Sequence, residues 1–184
     1  MSVAGPLLDR TAIERAFRRL GERLARRGLT ADVYVIGGAA LAMAYDSRRA
    51  TRDIDAVFEP HGAVIEEAWA VADELGLPRW WLNDQASVYV ARGGDSRAPR
   101  VFEHPGLRVS AASPEHLLAM KVLAARRRDV EDIRFLVQRV GLTTIDAVLS
   151  LCAEVFPEEP LPARARLVLE DALDQQDQIR PDAP

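Results

Sequence analysis

The chain has 184 residues, a formal net charge of −4 and an apolar content of 48%. These values suit one compact domain, or one with a small appendage, and exclude wholesale disorder and a general nucleic-acid coat. No apolar run approaches the roughly 18 residues of a membrane span, the first ten residues carry no basic segment followed by an apolar one, and Cys152 is the single cysteine. A transmembrane protein, a secretory leader, a disulfide framework and a cysteine-based zinc site are therefore not expected; a cytoplasmic protein is.

Ile13, Phe17, Leu20 and Leu24 recur at helical spacing and predict a helix from about Asp9 to Arg27, stopped by Gly28. Its outer face carries Arg18, Arg19, Arg23, Arg26 and Arg27, either a solvated face or a stripe that contacts RNA. Val33–Ile36 reads as a buried strand entering a turn at Gly37-Gly38, with a short helix over Ala39–Tyr45. Asp53–Phe58 alternates as a second strand, ended by Pro60 and Gly62, and Ala63–Leu75 is helical. A strand is predicted over Ser87–Ala91, a polar loop over Arg92–Arg100, and a hairpin from Val101–Glu103 and Leu107–Val109 across His104-Pro105-Gly106.

Beyond this the pattern is helical only. Ser113 is a good N-cap, Pro114 suits the first position and Glu115 the positive end of the dipole, giving a helix that could run to Val140 with Gly141 as its stop. Helices over Thr144–Val155 and Leu161–Leu173 follow, then a polar tail. The expected organisation is an α/β (α+β) part over residues 1–111, a helical part over 112–173 and a loose tail over 174–184.

The chemistry concentrates in Val35-Ile36-Gly37-Gly38 and Thr51-Arg52-Asp53-Ile54-Asp55. Aspartates at i and i+2 on a strand share a face, and two such carboxylates repel unless a cation lies between them. Oxygen-only ligands suit Mg²⁺, which takes one or two carboxylates together with substrate phosphates. A Gly-Gly turn just before lets the backbone approach a phosphate and donate N–H groups to it. Together these read as a phosphate-and-metal site rather than a tight turn beside an exposed strand end.

Gly37-Gly38 followed by Asp53-Ile54-Asp55 resembles the signature of the DNA polymerase β-like nucleotidyltransferase superfamily, with 14 residues between Gly38 and Asp53. The Thr51–Asp55 block, with Pro114–Lys121 and Arg128–Ile133, is similar to the AbiEii/MenT-type group of nucleotidyltransferase toxins of toxin–antitoxin systems. The resemblance covers residues 30 to 140. It implies a small mixed sheet flanked by helices plus a helical C-terminal part. It also implies Asp53 and Asp55 as ligands of Mg²⁺ (or Mn²⁺), and Gly37, Gly38 and Thr51 at the nucleotide. Lys121 and Asp132 would complete the site, with Asp129 competing for the second role and also a nucleotide-binding candidate. The substrates it implies are a nucleoside triphosphate and the 3′ end of tRNA, and a cognate antitoxin is a further partner.

Lys121 also stands out without the resemblance. The basic residues are 23 arginines and this one lysine, set between Leu117-Leu118 and Val122-Leu123 in an apolar helix. A charge there is costly unless it reaches a partner, for which a triphosphate is one choice and solvent, by snorkelling, the other. Asp132 lies 11 positions on, nearly on the same helix face but about 16 Å further along a continuous helix. Either the helix breaks within Ala124–Asp129 or the two residues serve different groups; Asp129 and Asp132 could also pair with nearby arginines.

The remaining candidates carry less. His61, His104 and His116 show no metal spacing, Trp80-Trp81 could stack bases or fill a core, and Cys152 is expected to be buried. No Walker, nucleophile-elbow or Rossmann motif occurs. Transfer to a small molecule or a protein side chain, and an inactive binding module on the same fold, are the alternatives to transfer onto tRNA.

Overall fold

The computed structural model describes residues 5–177. In chain order it contains α1 (Arg10–Arg26), β1 (Ala31–Val35), α2 (Gly37–Ala40) continued by a π-helical turn (Leu41–Tyr45), β2 (Ile54–Glu59), α3 (His61–Leu75), β3 (Leu82–Asn83), β4 (Arg100–His104) and β5 (Leu107–Ala111). The helices α4 (Pro114–Ala124), α5 (Val130–Val140), α6 (Ile145–Val155) and α7 (Arg164–Asp177) complete it. The chain forms two compact units. One takes the residues up to Val88 together with Arg97–Ala112, the other Tyr89–Ser96 together with the chain from Ser113 onward. No single helix among the described residues is long and apolar enough to cross a membrane.

The first unit is a mixed sheet in the order β3-β2-β1-β5-β4. β1 is antiparallel to β2 and parallel to β5, β2 is parallel to β3, and β4 is antiparallel to β5. The alternation in sequence sets the faces. Ala31, Val33 and Val35 of β1, Ile54, Ala56 and Phe58 of β2 and Leu107, Val109 and Ala111 of β5 are buried, and the register pairs them with one another. α1 and α3 cover that face. Phe17 of α1 sits 6.3 Å from the ring of Trp81 and 5.9 Å from that of Phe102. The indole N–H of Trp81 donates to Ala68 O of α3 at 2.9 Å. Asp32, Tyr34, Asp55, Val57, Arg108 and Ser110 alternate onto the opposite face.

α1 crosses the β4–β5 hairpin at a distance only glycine permits. A Cβ on Gly106 would lie 2.2 Å from Gly21 O, and one on Gly21 would lie 2.6 Å from His104 Nδ1. His104 thereby finds its place, its Nδ1 accepting from Gly106 N at 3.2 Å.

The second unit is built on α4, against which α5, α6 and α7 pack. Ser113 caps α4 through its side-chain oxygen, as its place before Pro114 suggests, and Thr144 caps α6 in the same way.

Three expectations are corrected. The strand over Ser87–Ala91 is absent; Ser87–Tyr89 is a single 3₁₀ turn and Val88 is 79% exposed, so its β-branched side chain has no face to bury. The strand lies instead at Leu82–Asn83, where Leu82 reaches the core beside Ile54. The helix from Ser113 does not run to Val140. Ala125 takes a left-handed conformation (φ 45°, ψ 49°) and α4 ends, so that α5 folds its own apolar face, Ile133, Leu136 and Val137, into the unit. Residues 174–177 belong to α7 rather than to a loose tail; the rest of the expected tail lies outside the described residues.

Candidate active site

The end of β1 and the start of β2 meet at one point. Ile36 N donates to Asp55 O at 2.9 Å, fixing the exit of β1 beside Asp55. Gly37 then turns with φ 63°, a conformation that strains any residue with a Cβ. A Cβ placed there would sit 3.6 Å from Asp55 Oδ2, and one on Gly38 would sit 3.1 Å from Thr51 Oγ1. The Thr51 hydroxyl donates to Asp53 O at 3.0 Å. Gly37, Gly38, Thr51, Asp53 and Asp55 therefore gather at one end of β1 and β2. Ile36 offers no side-chain cap to α2, so the N–H groups of its first turn have no acceptor from the cap position.

Asn83 was not legible as a site residue. β3 pairs it with Asp55 across a parallel ladder, which places both side chains on the same face of the sheet. Asn83 is buried, and its Nδ2 donates to Asp53 Oδ2 at 3.3 Å and to Trp80 O at 3.4 Å, while its Oδ1 accepts from Gln85 N at 3.0 Å. The amide thus ties the Asp53 carboxylate to a strand of only two residues.

Among the described residues no three His, Cys, Asp or Glu side chains converge as a ready-made metal cage. The donor set at Asp53 and Asp55 is two half-buried carboxylates beside glycine backbone. That set fits a hard divalent cation whose remaining ligands are phosphate oxygens and water.

Lys121, Asp129 and Asp132 come together in the second unit. Lys121 Nζ lies 2.8 Å from Asp129 Oδ1 and 2.7 Å from Asp132 Oδ2. The three side chains are 11%, 14% and 20% exposed. The helix break resolves the spacing problem. α4 stops at Ala124, the chain passes through a 3₁₀ turn at Arg127–Asp129, and α5 starts anew at Val130, which returns both aspartates to Lys121. Arg164 donates to Ala124 O at 3.2 Å, satisfying a carbonyl left open by the break. The partner that the charge of Lys121 requires is thus a pair of carboxylates within its own unit.

The arginines of α1 divide. Arg19, Arg23 and Arg27 pair with Glu74, Glu67 and Glu66 of α3, Arg23 Nε lying 2.6 Å from Glu67 Oε2 and Arg27 Nη1 2.8 Å from Glu66 Oε2. Burial pushes the Glu67 carboxyl up, but hydrogen bonds from Arg27 and Arg23 outweigh it and hold the group below its usual range. The Glu74 carboxyl is likewise held low, chiefly by the hydrogen bond from Arg19. Arg18 and Arg26 remain exposed, but α1 lies on the face of the sheet opposite Asp55.

The other singled-out residues are structural. Trp81 is core, whereas Trp80 is 42% exposed. His116 Nδ1 lies 3.1 Å from Ser113 Oγ and 3.4 Å from Asp95 Oδ1, and its Nε2 faces Gly94 O at 3.0 Å. Serine and aspartate share one ring nitrogen, so this is a tie between the Tyr89–Ser96 segment and α4 rather than a nucleophilic triad. His61 Nε2 meets Asp84 Oδ2 at 3.0 Å on the surface. Cys152 is buried, which pushes its thiol up to about 12.

The family described as a nucleotidyltransferase of unknown function (DUF6036) matches residues 12–160. No curated protein and no solved structure matches the chain. The five-stranded mixed sheet and its helices agree with a nucleotidyltransferase-like fold. The chain belongs to this nucleotidyltransferase family.

Proposed function

We propose that the chain transfers a nucleoside monophosphate from a nucleoside triphosphate to an RNA hydroxyl, the 3′ end of tRNA first, and acts as the toxin of an AbiEii/MenT-type pair held in check by an antitoxin. The observation that carries the reaction is the gathering of Gly37, Gly38, Thr51, Asp53 and Asp55 at the end of β1 and β2. Asp53 and Asp55 would hold Mg²⁺ or Mn²⁺, which when bound neutralises charge on the phosphates and aligns them. Asn83 keeps Asp53 in place, and the Gly37–Gly38 backbone lets phosphate oxygens approach the first-turn N–H groups. The acceptor oxygen attacks the α-phosphorus, the bond to the β-phosphate breaks, pyrophosphate leaves and the hydroxyl proton passes to solvent. A part for Lys121 with Asp132 or Asp129 follows from the resemblance.

One observation favours a second reading, transfer to a small molecule or a protein hydroxyl: Arg19, Arg23 and Arg27 are taken up by glutamates of α3, so that part of the basic stripe does not present itself to RNA. Purified protein given each α-labelled nucleoside triphosphate, Mg²⁺ and total tRNA separates the outcomes. Labelled tRNA supports the first reading and label on protein or a small acceptor the second. No label on any acceptor overturns transfer altogether and leaves a binding module.

A further inference from the structure

We propose that the Arg126-Arg127-Arg128 turn, with Arg92 and Tyr89, is the surface that docks an RNA strand; the inference rests on the reading of RNA as acceptor and gives that substrate its place in the second unit. The left-handed Ala125 ends α4 and throws three consecutive arginines outward, all exposed. Asp129, the next residue, turns inward to Lys121. Among the described residues no carboxylate lies within ion-pair reach of Arg126, Arg127 or Arg128, although the chain carries more acidic than basic residues. The nearby acids are engaged elsewhere: Asp129 and Asp132 with Lys121, Glu131 with Arg134. Arg126 lies over the Tyr89 ring, its Cζ 5.6 Å from the centroid, so one of the three arginines rests against an aromatic face. Arg92, three residues after Tyr89, is 89% exposed, and its acidic neighbour among the described residues is Glu158 at 3.9 Å.

Charges of one sign held together without counter-charges are unfavourable in the unbound protein and favourable against a polyanion. Arginine beside an aromatic ring is the composition by which proteins hold a nucleic-acid strand without reading its sequence. The α1 stripe is a poorer candidate: Arg18 and Arg26 are eight residues apart, about 12 Å along the helix, and Glu22 lies between them.

The test is the affinity of the full chain for labelled tRNA as a function of salt. The triple variant Arg126→Gln, Arg127→Gln, Arg128→Gln should bind at least tenfold more weakly at low salt. Its slope of log K against log[salt] should fall by about 2 to 3, at about 0.7–0.9 for each phosphate no longer neutralised. The single reversal Arg127→Glu should weaken binding in the same direction, and Arg18→Gln with Arg26→Gln should leave both quantities unchanged. An unaltered affinity and slope in the triple variant, with wild type still labelling tRNA, would overturn the docking surface and leave the reaction standing. Failure of wild type to bind or label any RNA would overturn both, and would point to an acidic protein as the partner for these arginines.

Discussion

Asn83 donates its side-chain amide to Asp53 Oδ2 at 3.3 Å, from a strand whose register sets it directly beside Asp55. In the metal site proposed above, this hydrogen bond would leave the other Asp53 oxygen for the cation and would oppose rotation of the carboxylate away from it.

Asn83→Ala should therefore weaken Mn²⁺ binding in the absence of nucleotide by about tenfold or more, within the 10–100-fold range for loss of a group that orients a metal ligand. Calorimetric titration with Mn²⁺ reads this directly, without reference to activity. Asn83→Ser, which keeps a donor on a shorter stem, should recover part of the affinity. Equal Mn²⁺ affinity in wild type and Asn83→Ala would reduce Asn83 to a strand-end hydrogen bond.

The α1–α3 ladder should make folding acid-sensitive in one direction. Glu67 and Glu74 have folded-state values below the usual 4.5. A depressed carboxyl contributes stability that is complete above the unfolded value and is lost as pH falls through the folded one. The contribution is thus complete at neutral pH, begins to decline as pH falls below about 4.5 and is gone once pH passes below the folded-state values. Urea midpoints of wild type and the Glu67→Gln, Glu74→Gln double variant should differ at pH 7 and converge toward pH 3. A constant gap would show that the glutamates act by packing alone.

The break at Ala125 and the charge of Lys121 belong together. Ala125→Gly should be neutral or stabilising by up to about 1 kcal/mol, because glycine accepts the left-handed conformation that alanine resists. The same change at Ala119, inside α4, should cost about 1 kcal/mol or more. Lys121→Ala should cost about 1.5–3 kcal/mol by leaving Asp129 and Asp132 facing each other. Lys121→Arg should fold, yet lose at least about tenfold in kcat/KM if an ammonium rather than a guanidinium is required. Full activity in Lys121→Arg would confine the residue to stability.

The parts of the structure that the sequence makes legible are local. Gly37, Asp53 and Asp55 sit in short blocks whose alternation and turn chemistry are written into neighbouring residues. The β4–β5 hairpin and the Ser113 cap are local in the same way. What escaped it depends on distant partners. β3 is two residues long and shows no periodicity; Asn83 gains its role only once Leu82 is paired with Ile54. Alanine carries no signal for a left-handed turn, so Ala125 reads as helix until the apolar face of α5 and the carbonyl contact from Arg164 are in place. The glutamates that take up Arg23 and Arg19 lie 44 and 55 residues away, on a helix whose position follows from the sheet.

The proposed role of Asp53 and Asp55 as the centre of a nucleotidyl-transfer site is read out by the rate of pyrophosphate release under Mg²⁺ with nucleoside triphosphate and tRNA, in wild type against Asp53→Asn and Asp55→Asn. Wild type should release pyrophosphate in step with labelling of the RNA. Either variant should lose at least about a hundredfold in rate, while its thermal midpoint in metal-free buffer holds or rises through relief of like-charge repulsion. Wild-type rates in a folded Asp53→Asn or Asp55→Asn variant would show that the two aspartates are not the centre of transfer.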